Sequence, residues 1–199
     1  MGFTREDESA LEEVPDVLEA GVPSFKMLTA YEIGVGYGFM EAVLAELAGH
    51  DAVALVHTED RQVCDYRTER RKAAGRGDPE DYPGSRPDYA EAMAADAVCR
   101  LAVEHGCKYY GVHTTSAKAA DALARFRADH GPELVRAETC PHYTTLDDSI
   151  FAERGYLPML APPIRTPADN DAIVEHLRAG TIDTIGTDHT GFTVESKTV

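Results

Sequence analysis

The sequence predicts an α/β fold, an arc of a TIM-type (β/α)8 barrel holding about five of the eight βα units. Three observations carry that expectation. Short apolar runs alternate with stretches of helical period, the pattern of repeated βα units. The runs are too continuously apolar for a sheet with one wet face, which favours parallel strands covered by helices. Residues able to do chemistry fall at the carboxyl ends of those runs, where barrels keep their active sites. The last of them is Asp188, in Gly186-Thr187-Asp188-His189, just past the run Thr181 to Ile185.

Taken in order, Ser9 to Ala20 reads as a helix, with Leu11, Val14, Val17 and Leu18 on one face and Gly21 closing it. Val22 to Leu28 reads as a strand carrying Lys26. Tyr31 to Gly38, with three glycines, reads as a flexible loop. Met40 to Ala48 is helical. Ala52 to His57 is a strand ending in histidine, followed by a charged helix from Asp60 to Ala74. Gly75 to Pro87 is loop, and Asp88 to Glu104 is an alanine-rich helix stopped by Gly106. Lys108 to His113 is a third strand, Ser116 to Asp129 a helix, and Leu134 to Glu138 a fourth strand. Pro158 to Pro167 is a proline-rich loop. Asp169 to Leu177 is the last helix, and Gly180 leads into the strand before Asp188. An open doubly wound sheet has the same alternation. It loses ground because no Gly-x-Gly-x-x-Gly follows a first strand; Gly34-Val35-Gly36 lacks the rest of that fingerprint.

The 199 residues suffice for one core and one domain. The four cysteines, at 64, 99, 107 and 140, have no Cys-x-x-Cys spacing, so neither a disulfide scaffold nor a zinc ribbon is expected. A formal net charge of -16 argues against nucleic acid, which needs a basic stripe. No run approaches the roughly 20 apolar residues that cross a bilayer, and the acidic start does not resemble a signal peptide. A soluble, cytoplasmic protein is expected, with no nucleic-acid or membrane partner. Only five of the nineteen cations are lysine. That balance suits either a protein kept hydrated in concentrated salt or an ordinary acidic one.

Lys26, His57, His113 and Asp188 each sit at or near the end of a different strand. Two imidazoles and a carboxylate are a good ligand set for a divalent metal. The lysine is the unusual member. Burial among Phe25, Met27 and Leu28 lowers an amine's pKa, and a neutral amine can take up carbon dioxide to become an anionic carbamate able to bridge two metals. Asp188 can ligate and also move a proton between the attacking oxygen and a leaving nitrogen. Tyr31, five residues after Lys26, is the candidate donor to a developing oxyanion. Singly, each residue has a plainer reading: a hydrogen-bonded strand-end His, a snorkelling Lys, a capped turn, a packing Tyr. The joint order at strand ends lifts the metal reading above those.

Six segments then resemble the D-hydantoinase/dihydropyrimidinase branch of the cyclic amidohydrolases. They are Ser24 to Tyr31, Val56 to Asp60, Val112 to Ser116, Glu138 to Tyr143, Ala161 to Arg165 and Thr187 to Phe192. The resemblance spans nearly the whole chain in the right order. It implies a (β/α)8 barrel with a binuclear metal centre, usually zinc, bridged by carboxylated Lys26. His57 and His113 would hold one metal. Asp188 would be ligand and general base, and Tyr31 would stabilise the oxyanion. Ala161 would offer backbone atoms to a cyclic amide or imide substrate, and a homo-oligomer is expected. His142 and His189 would lie behind the ligands.

The family's His-x-His pair, which holds the other metal, is nowhere in this sequence. Four of six expected ligands remain. The expectation is therefore residues 1–199 as the C-terminal part of an amidohydrolase barrel domain, without the N-terminal strands and the small β-sandwich. Such a chain would be an impaired hydrolase of cyclic amide C–N bonds. The alternative is a non-catalytic homologue acting as an interaction or assembly protein.

Overall fold

The computed structural model describes residues 1–197. Five strands form one parallel sheet in the order β1-β2-β3-β4-β5: Ser24–Leu28, Val53–His57, Lys108–Gly111, Val135–Thr139 and Thr184–Ile185. Sequential order with helical crossovers is the winding of a barrel wall, since each right-handed crossover then lands on the same side. A doubly wound sheet would reverse direction at a switch point.

Alternation along the strands says which face is which. Phe25, Met27, Ala54, Val56, Tyr109, Val135 and Ala137 are buried against helices in the main core. That core is completed by Met40, Val43, Leu44 and Leu47 of α2 (Tyr37–Gly49), Val98, Cys99 and Ala102 of α4 (Asp88–His105), and Leu123 and Phe126 of α5 (Ala117–His130). Positions of the other parity, among them Lys26, Leu55, Tyr110, Glu138 and Thr184, face away from that core and range from half-buried to exposed. The sheet is thus packed by helices on one face, as a barrel wall is.

Local chemistry sets the helix ends. Asp60 caps α3 (Arg61–Ala73), accepting from Val63 N at 2.9 Å. Ser116 caps α5 and Thr166 caps α8 (Pro167–Ala179), whose first residue is a proline that lacks the amide the first turn leaves unused. Gly106 and Gly180 end α4 and α8 with φ of 68° each, a left-handed turn that costs glycine nothing.

The elements differ from expectation at several places, among them two 3-10 turns, Pro79–Asp81 and Pro83–Ser85, within the expected loop 75–87. The helix expected over 9–20 is a 3-10 turn, Glu8–Leu11, then α1, Val14–Glu19, because Pro15 has no N–H to continue one ladder. Met1 to Phe3 form a short parallel bridge on the outer edge of β1: Lys26 N donates to Met1 O at 2.7 Å and Phe3 N to Lys26 O at 2.9 Å. Two short helices, α6 (His142–Thr145) and α7 (Ile150–Arg154), stand where no element was expected. Four or five residues are too few to show a period. They rest on a satellite core of Cys140, Tyr143, Phe151 and Ile164 beneath the loops at the carboxyl ends of the strands. No described helix is long and apolar enough to cross a membrane.

Candidate metal-binding site at the carboxyl ends of the strands

His57 is the last residue of β2, and His113 lies two residues past β3; each is 4% exposed. Their rings meet edge to face with centroids 4.8 Å apart, and His57 Nδ1 lies 3.2 Å from His113 Nε2. The other nitrogen of His57, Nε2, donates to Glu59 Oε2 at 2.7 Å. That bond leaves Nδ1 as the lone-pair nitrogen. The other nitrogen of His113, Nδ1, is buried with no hydrogen-bond partner. Burial, then the neighbouring His57 and Lys26, holds His113 well below the ordinary imidazole pKa, so its ring is neutral. Ring nitrogens that converge from two buried histidines are what an imidazole-binding cation requires.

Thr29 locks the turn after His57 onto β1. Its hydroxyl donates to His57 O at 3.0 Å and Glu59 O at 2.9 Å, and accepts from Glu59 N at 2.9 Å. Lys26, mid-β1, is half-buried. Burial depresses its pKa, opposed by the negative charges of Asp188 and Glu138. The direction is the one carbamate formation needs. Glu138 is held by the Tyr110 hydroxyl, which donates to it at 2.9 Å. It packs so close to Gly186 that a Cβ there would lie 2.6 Å from its carboxylate.

Tyr31 stands 5.4 Å from the His57 ring, centroid to centroid, with the Arg86 guanidinium 4.7 Å from its ring centroid. Burial pushes its phenol up to about 12, so it stays a proton donor through neutral pH. Ala161 lies half-buried in the loop that joins Leu160 to Arg165, and its peptide to Pro162 is cis. Tyr143 O–H donates to Pro162 O at 2.6 Å and Tyr82 O–H to Leu160 O at 2.9 Å, fixing that loop on the satellite core.

Asp188 is exposed and close enough to Lys26 to act on its charge, but it does not complete a set with the two rings. Among the described residues no three His, Cys, Asp or Glu side chains gather into a metal-holding group. The structure therefore brings His57, His113 and Tyr31 together. Lys26 joins them as an electrostatic neighbour, Asp188 stands off, and Ala161 remains on its loop. His142 has a buried, unpartnered Nε2, and His189 is exposed.

Backbone strain picks out the same residues independently. Four described non-glycine residues have left-handed backbone, and three are Tyr31 (φ 68°), His113 (φ 42°) and Asp188 (φ 47°). Such residues cost about 1–3 kcal/mol each and gather at functional sites. Glu59, Arg86, Glu91 and Arg165 had no role in the sequence reading. All four are acidic or basic residues of types that mostly lie in water. Only the fold shows that they are paired, with Glu59, Glu91 and Arg165 buried and Arg86 half-buried.

No protein-family model matches the chain. Proteins named allantoinase from Salmonella paratyphi B and Salmonella enteritidis are 32% identical to it over 196 residues, 94% of this chain and 43% of theirs. A solved D-hydantoinase from a Bacillus species superposes with a TM-score of 0.91 at 29% identity, over 96% of this chain and 43% of that one. A dihydropyrimidinase from Brevibacillus agri gives 0.92 at 28%, over 97% and 43%. Over nearly its whole length the chain is similar to members of the cyclic amidohydrolase superfamily, and its five-stranded sheet corresponds to part of their (β/α)8 barrel. Within the superfamily, the relatives it matches carry the names allantoinase, D-hydantoinase and dihydropyrimidinase, and it spans about 43% of their length.

Proposed function

We propose that this chain carries the part of a metal-dependent cyclic-amide hydrolase that binds one side of the metal centre, and that the reaction served is ring opening at a C–N bond of a hydantoin, dihydropyrimidine or allantoin-like ureide. The observation that carries the reading is the meeting of His57 Nδ1 and His113 Nε2 at 3.2 Å, both rings buried. The names of the relatives support the substrate class.

The residues that would hold divalent metal, by ligand chemistry zinc, are His57, His113, Asp188 and Lys26 as its carbamate. Bound there, such an ion would polarise a carbonyl and supply a nucleophile at neutral pH. Asp188, exposed at the rim, takes the proton of the attacking water and returns it to the leaving nitrogen. Tyr31 keeps its proton and donates to the oxygen on which negative charge develops. The backbone at Ala161, fixed by the bonds to Leu160 and Pro162, orients the ring amide.

The chain has no His-x-His, so we propose that the isolated 199 residues hold fewer than two ions and turn over cyclic amides weakly. The test is zinc stoichiometry and hydrolysis of hydantoin, dihydrouracil and allantoin, with zinc and bicarbonate present. Zinc bound by the wild type and lost in His57→Ala and His113→Ala supports the reading. Zinc binding untouched by both substitutions contradicts it, and robust turnover contradicts the proposed weakness.

A further inference from the structure

The buried acid beside His57 does more than neutralise a charge. Glu59 is 1% exposed, and its two oxygens are used unequally. Oε2 accepts from both His57 Nε2–H, at 2.7 Å, and Arg86 Nη1–H, while Oε1 is buried with no partner. A carboxylate serving only as counter-ion to an arginine does best with two parallel bonds, one per oxygen. Here one oxygen is shared between a guanidinium and an imidazole. The guanidinium fixes the carboxylate, and the carboxylate decides which ring nitrogen carries the proton.

We propose that Glu59, clamped by Arg86, is a positioning residue: it sets the tautomer of His57 and so aims the Nδ1 lone pair at the point where His113 Nε2 also arrives. A carboxylate behind a histidine fixes both the tautomer and the plane of the ring. The clamp extends to the second histidine. Arg86 O accepts from Arg165 Nη1–H, and Arg165 Nη2–H donates to Glu91 Oε2 at 2.9 Å. Glu91 in turn accepts from Thr115 N at 2.8 Å, two residues past His113. A run of paired charged side chains, Glu59, Arg86, Arg165 and Glu91, thus holds the turns after both histidines. Its relevance to metal rests on the function proposed above; the tautomer does not.

The test separates the two. Long-range nitrogen–proton NMR on the metal-free full chain reads the protonated nitrogen of His57 directly. The wild type should show one form, with the proton on Nε2. Glu59→Gln, which keeps an acceptor oxygen, should retain it. Glu59→Met should give the Nδ1–H form or a mixture. Because that variant strands Arg86 without its counter-charge, the double variant Glu59→Met/Arg86→Met provides the same test with no lone buried ion. Cobalt affinity, read from the visible absorption of the bound ion, should fall about 10–100-fold in the Met variants and be largely recovered in Glu59→Gln. A single Nε2–H form in the folded double variant, or an Nδ1–H form in the wild type, would overturn the positioning role. Failure of the wild type to bind cobalt, with the tautomers as expected, overturns the proposed function and leaves the positioning role standing.

Discussion

Replacing Arg165 with methionine tests whether the buried charges behind the site hold the loops in place. Arg165 is 5% exposed and its partner Glu91 1%. It donates to Glu91 Oε2 at 2.9 Å, to Thr115 Oγ1 at 3.0 Å, and to Arg86 O. In Arg165→Met the Glu91 carboxylate keeps Thr115 N at 2.8 Å and Thr115 Oγ1 at 2.6 Å but loses its counter-charge. A buried ion stripped of its partner costs about 3–5 kcal/mol. For a chain of this size that lowers the melting temperature by about 6–20 °C, at roughly 2–4 °C per kcal/mol. The double variant Glu91→Met/Arg165→Met strands no ion. It loses the acceptor for Thr115, about 1–3 kcal/mol, so it should be more stable than Arg165→Met alone. Urea titration of wild type, both singles and the double closes the cycle. A loss below about 1 kcal/mol in Arg165→Met, or a double variant as damaged as the two singles added together, refutes the reasoning.

Three other outcomes follow from the packing and burial described above. Gly34→Ala would put a Cβ 2.3 Å from Ala30 O, a backbone atom that cannot step aside. It should cost about 1–3 kcal/mol, and the shift should appear at Tyr31, whose carbonyl accepts from Gly34 N at 3.2 Å. Chemical-shift changes confined to other loops would count against it. Burial raises the thiols of Cys64 to about 12 and Cys107 to about 11 from an ordinary 9.0, and raises Cys99 as well. With folded values above unfolded ones, their contribution is whole below pH 9 and is lost as pH rises toward 12. The urea midpoint should fall on that alkaline side, and native thiols should resist alkylation at pH 8; prompt labelling of Cys99 would contradict the packing. Lys26→Arg keeps a cation but cannot form a carbamate, so it should abolish any dependence of zinc binding on bicarbonate. Calorimetry with and without bicarbonate checks this, and dependence persisting in the variant would rule the carbamate out.

The sheet was legible because its signal is redundant. Val22 to Leu28, Ala52 to His57 and Lys108 to His113 are short, largely apolar and spaced by helix-length segments, and the observed strands fall within those runs. The histidines were legible because each ends such a run. The edge bridge at Met1 to Phe3 was not, since its stability comes from hydrogen bonds to Lys26 rather than from any pattern of its own. Neither were α6 and α7, which exist because Tyr143 and Phe151 find a satellite core. Spacing along the chain also says nothing of side-chain reach. It placed Asp188 on the same rim as His57 and His113 but could not show that its carboxylate stands apart from their rings. Nor could it distinguish buried Glu59, Glu91 and Arg165 from the many charged residues that lie in water.

Diffraction at the zinc absorption edge, on crystals of the full chain grown with zinc and bicarbonate, would locate the ion without reference to turnover. A peak bonded to His57 Nδ1 and His113 Nε2, at about 2.0–2.1 Å from each, is what the geometry predicts. Zinc found only elsewhere on the surface, with those two nitrogens still facing each other, would contradict it.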